Sequence, residues 1–188
     1  MMKNLVTTKK TVASLKGGLV KSTLLLLLFM AGSCNMMYSP QEYFDKVALN
    51  TNMISRFGAD YFYTYEKYIK GGGSADFNTC EKYLLNYSIA SAEQNFKKVK
   101  DLYASKETEP MINASLDLYT YVLNSYKTDH LKIARMIDQK APADTINNAL
   151  AELDKKSYKT FAEKYEKLWG LAETYAKDHN ITVKKMPF

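Results

Sequence analysis

Two histidines and an isolated cysteine are the side chains of this sequence that most readily carry metal, acid–base or nucleophilic chemistry. They are His130, His179 and Cys80. A di-iron centre inside a helical bundle needs Glu-x-x-His motifs, and the sequence contains none. A helical hairpin that turns near Ala141 would separate the two histidines by about 39 Å along its axis. The sequence therefore predicts no metal and no cofactor.

His130 and Cys80 each have a structural and a chemical interpretation. His130 follows Tyr126 by four residues on the same helical face, which favours a hydrogen-bonded core histidine. A haem ligand or an acid–base residue is the alternative for it. Cys80 belongs to no Cys-x-x-Cys motif and has no histidine nearby, which favours a small buried apolar side chain. No serine or cysteine has a recognisable base partner, so we expect a protein that is not an enzyme.

Tyrosine is unusually frequent, with 15 residues in 188. Four of them, Tyr61, Tyr63, Tyr65 and Tyr68, lie in the segment YFYTYEKY, just before three consecutive glycines at 71–73. A tyrosine ring has an apolar body and a polar tip, which suits stacking on glycans and protein interfaces. The same properties suit a bundle core whose hydroxyl groups reach the surface. A binding face for a small molecule or glycan is therefore the alternative to a core role.

The first 33 residues have the composition of a signal peptide. Five lysines and no acidic residue precede an apolar run at 24–31, which the segment KSTLLLLLFMAGSCNMM contains. A helix that crosses a bilayer needs about 20 apolar residues, so this run is too short. A basic segment, a short apolar segment and then small residues are typical of a secretory signal.

The end of this segment resembles the lipobox of bacterial lipoproteins, because Ala31, Gly32 and Ser33 come directly before Cys34. The resemblance covers residues 1–34 only. It implies cleavage before Cys34 and a lipid of the palmitate class on that cysteine, with residues 34–39 as a short tether. Asn35 stands where an aspartate would retain an enteric lipoprotein in the inner membrane, so the resemblance implies an outer-membrane anchor facing the periplasm. An ordinary signal peptide followed by a coincidental cysteine is the alternative.

The net charge of +6 belongs almost entirely to this leader. The chain has 26 basic and 20 acidic residues, of which five basic and no acidic ones precede Cys34. The part from Cys34 onward therefore has 21 basic and 20 acidic residues, a net charge of +1. A nearly neutral body argues against nucleic acid as a partner, because binding to phosphates depends on an excess of lysine and arginine.

The rest of the chain predicts an all-α fold with four long helices. Ser39, Pro40 and Glu42 form a helix-start signal in which serine caps, proline opens and glutamate completes a capping box. Asn180 suits a left-handed cap at the other end of the domain. The predicted helices span residues 40–70, about 74–104, about 110–141 and about 144–178. Short connections favour an antiparallel up-down-up-down four-helix bundle over residues 40–180, followed by a tail at 181–188.

Each predicted helix has an inner face with a three- and four-residue period. The first face includes Thr51 and Gly58, and the second includes Leu85 and Tyr103. Taken together, the sequence predicts a membrane-anchored, non-enzymatic helical lipoprotein that acts as an accessory or interaction module, with an envelope protein as its partner. A tyrosine-rich binding module is the first alternative, and an enzyme or cofactor bundle centred on His130 is the second.

Overall fold

The computed structural model describes residues 38–183, and these residues form an all-helical domain with five helices and no strand. The prediction of an all-α fold is confirmed. The predictions for the signal peptide, for Cys34 and for residues 184–188 lie outside the described residues. None of the helices in the described part combines the length and the hydropathy that crossing a membrane requires.

Helix α1 spans Pro40–Val47 and begins as the sequence predicts. The Ser39 hydroxyl accepts from the Glu42 backbone N–H at 3.2 Å, and a Glu42 carboxylate oxygen accepts from the Ser39 N–H at 2.8 Å. This reciprocal pair satisfies backbone donors that the first helical turn cannot satisfy itself. The Ser39 N–H and the Ser39 hydroxyl, which donates to the same carboxylate oxygen at 2.9 Å, both lower the pKa of the Glu42 carboxyl group because they favour its charged form.

The prediction of one continuous helix over 40–70 is wrong, because α1 is followed by a 3-10 helix, Leu49–Ile54, and then by α2, Ala59–Lys70. The Thr51 hydroxyl donates to the carbonyl of Ala48 at 2.6 Å, a local bond that competes with regular helix geometry. Gly58 then has a φ of 67°, which no right-handed helix allows. The chain is therefore interrupted between α1 and α2.

Helix α3 spans residues 80–100 and contains a π-helical segment, Leu84–Ile89. A π turn takes an extra residue, so the inner face shifts by one position. Leu84 is consequently buried, while Leu85, which the sequence places inside, is 39% exposed. Tyr103 was also expected on the inner face, but α3 ends at Lys100 and the Tyr103 side chain is 76% exposed.

Helices α4 and α5 match their predicted limits closely. Helix α4 spans 109–138, with a π-helical segment at Tyr126–His130, and α5 is a regular helix over Ala143–Asp178. Asn180 has a φ of 55°, which confirms the predicted left-handed residue after α5. Lys140 adopts a similar φ of 56° in the connection between α4 and α5.

Two ion pairs show the relative direction of helices α4 and α5. Lys164 of α5 pairs with Asp117 of α4 at 2.5 Å, and Lys156 pairs with Asp129 at 2.7 Å. Residue numbers fall along one helix as they rise along the other, so α4 and α5 are antiparallel. Between them and the remaining helices lies one apolar core, in which Phe57, from the interruption between α1 and α2, stacks on Phe161 with ring centres 4.4 Å apart.

Candidate functional site

The structure separates the four tyrosines of the predicted binding face. Tyr61 and Tyr65 are buried in the core, Tyr68 is half-buried, and Tyr63 is 53% exposed. This follows from the α2 period, since the side chain of Tyr63 leaves the helix on a different face from the other three. Tyr61, Tyr65 and Tyr68 are brought together by a residue that sequence reasoning missed: Tyr83 of α3, whose ring centre lies 5.1–6.2 Å from theirs.

The rings nearest the surface form what we call the aromatic ladder, made of Tyr68, Phe77, Tyr83 and Tyr87. Tyr83 lies 5.1 Å from Tyr68 and 5.2 Å from Tyr87, measured between ring centres. Phe77 packs 5.9 Å from Tyr87, whose side chain is 47% exposed. Burial and the neighbouring phenols raise the pKa of Tyr83. The four-residue spacing of Tyr83 and Tyr87 is the sequence signal that could have located this ladder.

The glycine-rich connection is fastened to the aromatic ladder. The Tyr68 hydroxyl accepts a hydrogen bond from the backbone N–H of Ser74 at 2.7 Å. Gly73 lies against the Tyr68 ring so closely that a Cβ there would clash with it. The connection that follows α2 is thus packed on a ring of the ladder, and the ladder has a defined backbone support.

His130, the other predicted chemical centre, lies in a closed aromatic environment. Its side chain is fully buried, and its ring is stacked on Phe62 and close to Phe57, Tyr61 and Tyr126, with ring centres 4.9–5.6 Å apart. Its Nδ1 lies 3.0 Å from the Ser125 hydroxyl, which confirms the prediction of a hydrogen-bonded core histidine. Its Nε2 is buried and has no hydrogen-bond partner.

The environment of His130 keeps its imidazole neutral. Burial lowers the pKa of His130 to about 4, although the backbone of Ser125 and the charge of Asp129 act in the opposite direction. Tyr61 beside it is bonded to the Ser88 hydroxyl at 3.1 Å, and burial raises the pKa of that phenol. A neutral imidazole enclosed by rings is accessible neither to a substrate nor to water.

Cys80 is also buried, as the sequence predicts. Its backbone N–H donates to a carboxylate oxygen of Asp138 at 2.8 Å, and the Glu81 N–H donates to the other oxygen at 2.9 Å. Asp138 of α4 therefore caps the N-terminus of α3. Burial, together with the negative charge of Asp138, raises the pKa of the Cys80 thiol, and a thiol that stays protonated is a poor nucleophile.

An open groove of about 520 Å³ lies between α4 and α5, and His130 is not among its lining residues although its neighbour Asp129 is. Its floor is apolar, with Ile133 and Leu153, and the ion pair of Lys156 with Asp129 lies at its rim. Over residues 38–183, no group of three or more histidine, cysteine or carboxylate side chains is arranged to hold a metal ion.

The remaining predicted site residue, Cys34, lies outside the described part of the chain. Comparison of the whole sequence with protein-family models, with curated proteins and with solved structures found no match. The interpretation of function therefore depends on the residues themselves and on the geometry described above.

Proposed function

We propose that this chain is a lipid-anchored, non-enzymatic helical lipoprotein that serves as an interaction or accessory module in the bacterial cell envelope. The observation that carries the proposal is the order of residues at the start: lysines, a short apolar run, then Ala31, Gly32, Ser33 and Cys34. A thiol directly after small residues is what lipid attachment and cleavage need. The proposed location is the outer membrane, facing the periplasm.

We further propose that the domain is an up-down-up-down bundle in which α1 and α2 together form the first arm. Support comes from contacts in three of the adjacent pairs, besides the ion pairs between α4 and α5. Tyr61 bonds Ser88 of α3, Lys127 of α4 pairs with Glu93 of α3, and the Ala59 N–H donates to Asp154 of α5 at 2.8 Å. Such a bundle presents long outer faces, which is the surface that a protein partner would use.

The proposed absence of enzymatic activity is supported by the packing of the two side chains best suited to chemistry. The imidazole of His130 is covered by four aromatic rings, and the thiol of Cys80 is buried beside a carboxylate that disfavours the thiolate. Each of these environments opposes the charged form that catalysis would use.

In-cell crosslinking followed by affinity capture and mass spectrometry tests the interaction role. Wild type and Cys34→Ala are compared at equal expression. The proposal predicts one envelope protein that is enriched with wild type and lost with Cys34→Ala, because the anchor sets where the bundle is. Equal capture by both forms, or capture of no specific protein, would contradict it.

The aromatic ladder favours a second candidate function, a binding module for glycans. Rings spaced by about 5 Å with Tyr87 at the surface offer a stacking surface for a sugar. Binding of N-acetylglucosamine oligomers to Tyr87→Ala and to Tyr63→Ala, measured by calorimetry, separates the candidates. A ladder site predicts loss of binding with Tyr87→Ala alone, whereas no binding to wild type would eliminate this candidate for that class of sugar.

A further inference from the structure

Three parts of the chain meet at one end of the domain, which we call the Tyr103 end. They are the start of α1, the connection between α3 and α4, and the last turn of α5. The Tyr43 hydroxyl donates to the Tyr103 carbonyl at 2.6 Å, and His179 Nε2 lies 2.6 Å from a Glu107 carboxylate oxygen. Tyr103 and Glu107 both belong to the connection between α3 and α4, so these two contacts join it to α1 on one side and to the end of α5 on the other.

The proposed lipid anchor must lie near this end because of the length of the chain between them. Cys34 precedes Tyr38 by four residues. Four residues span at most about 14 Å when fully extended. Tyr38 contacts Tyr43 edge to face, with ring centres 5.9 Å apart, so the described chain begins at the Tyr103 end. A lipid on Cys34 would therefore bring this end, and no other, within reach of the headgroups.

The exposed side chains at the Tyr103 end suit that neighbourhood. Tyr103 is the most exposed large apolar side chain in the described residues, at 76%, although its backbone is held by Tyr43. Tyr38 is 40% exposed, with the Lys46 ammonium 4.7 Å from its ring centre. Tyrosine rings flanked by lysines are typical of protein segments at the membrane–water interface.

Exposed lysines lie close to Tyr103 in the sequence. Lys98, Lys100 and Lys106 are exposed on either side of Tyr103. Acidic side chains alternate with these lysines: Asp101 and Glu109 are exposed, and Glu107 is paired with His179. Such mixed charges give no net attraction to anionic lipid, so what suits this end to a bilayer surface is its exposed tyrosine rings with long lysine side chains beside them.

We propose that the Tyr103 end rests on the lipid bilayer, with Tyr103 and Tyr38 at headgroup level and the aromatic ladder directed away from the membrane. This inference rests on the proposed lipid anchor. The connection at 71–79 lies about 35 Å from Tyr103 along α3. The two ends of the domain thus differ in their roles, one facing lipid and the other open to the surrounding compartment.

Fluorescence quenching tests this orientation with the acylated full-length mature protein in vesicles of phosphatidylethanolamine and phosphatidylglycerol. Tyr103→Cys and Ala75→Cys each introduce one exposed thiol, at opposite ends of α3. Cys34 is blocked by its lipid, and Cys80 is fully buried, so a maleimide dye labels only the new site. Vesicles contain a lipid with a spin label on its headgroup as quencher, and intact mass spectrometry of each sample reports acylation.

The proposal predicts strong loss of fluorescence from the dye at position 103 and little loss from the dye at position 75. Equal quenching at the two positions, or stronger quenching at 75, in a protein whose mass shows the acyl chains would overturn the orientation and leave the anchor intact. A mature protein without acyl chains would overturn the proposed anchor, and the orientation with it.

Discussion

At the scale of single residues, the imidazole of His130 shows most clearly what the core does. It is surrounded by rings, has one hydrogen bond through Nδ1, and leaves Nε2 without a partner. Such a group is stable inside the protein only while it is neutral, since burial opposes its charge. Protonation of His130 should therefore be detectable as a dependence of the free energy of unfolding on pH.

Acid should destabilise the protein through His130. Its pKa is about 4 in the folded state and near the model-peptide value of 6.5 in the unfolded state. The unfolded chain binds the proton first, so stability is lost as pH falls from about 6.5 towards 4, by about 3 kcal/mol from this group. Urea unfolding of wild type and His130→Leu between about pH 4 and pH 7 measures this loss of unfolding free energy.

The difference between the two curves isolates this histidine from the carboxylates that titrate in the same range. We expect the wild-type curve to fall more steeply than that of His130→Leu. Parallel curves would show that His130 takes up its proton inside the folded protein, contrary to the closed environment described above.

Gly58 is a second residue whose role can be measured. Its φ is 67°, and a Cβ there would clash with the Asp154 oxygen that accepts from the Ala59 N–H. Gly58→Ala should therefore cost about 2–4 kcal/mol, from backbone strain and a lost hydrogen bond together.

Gly72→Ala is the matched control for Gly58→Ala. Gly72 also has a positive φ, 87°, but nothing lies within 4 Å of its added Cβ. We expect a loss of about 1 kcal/mol from strain alone. Equal losses for the two variants in thermal or urea unfolding would mean that the contact with Asp154 contributes nothing.

At the scale of elements, inter-helix polar contacts decide where helices begin. Helix α3 starts at Cys80 because Asp138 of α4 accepts from the N–H groups of Cys80 and Glu81, and because the Thr79 hydroxyl accepts from Lys82 at 3.2 Å. The predicted start near Ser74 is instead a single 3-10 turn, Ala75–Phe77. A carboxylate from a distant helix is thus part of the local start signal.

Asp138→Ala should destabilise the domain by about 1–2 kcal/mol, the usual effect of losing a helix cap. Gln139→Ala, at the exposed neighbouring position, is the control and should change stability by less than about 0.5 kcal/mol. Denaturant unfolding with circular dichroism detection measures both. A loss no larger for Asp138→Ala than for the control would refute the capping role.

The sequence predicts burial better than it predicts helix continuity. Thr51 and Gly58 were placed on the inner face and are buried, even though the helix containing them is interrupted. Apolar periodicity reports which side chains face the core, whereas the interruption comes from hydroxyl-to-carbonyl bonds and from a contact with Asp154, 95 residues away. The prediction that Leu85 faces the core failed for a similar reason, because an apolar period does not indicate where a π turn occurs.

The candidate site was predicted only in part for the same reason. Tyr68 was identified from its own segment, but Tyr83 reaches it from α3, and Phe77 packs on Tyr83 from the preceding 3-10 turn. Contacts between helices depend on how the helices pack, which a single helical pattern does not contain. The burial of His130 was predictable because it fits the apolar period of its own helix, and that of Cys80 because a cysteine without a chemical partner usually behaves as a small apolar side chain.

At the scale of the whole molecule, the account joins a closed helical domain to a proposed lipid anchor. The domain has its own core and its own caps, and His130 and Cys80 are buried inside it. Its two ends differ, with Tyr103 and lysines at one and the aromatic ladder at the other. A lipid on Cys34 would give the domain a fixed orientation and leave its outer faces free for a partner.

The central claim is that Cys34 carries the lipid, and intact mass spectrometry of the mature protein tests it most directly. Wild type and Cys34→Ala are expressed in a bacterial host with an outer membrane and purified from its membranes and its soluble fraction. The account predicts a wild-type chain that begins at Cys34, is heavier than its sequence by two or three acyl chains, and is found in the membrane. A wild-type chain that retains residues 1–33, or that is cleaved elsewhere without added lipid, would contradict it.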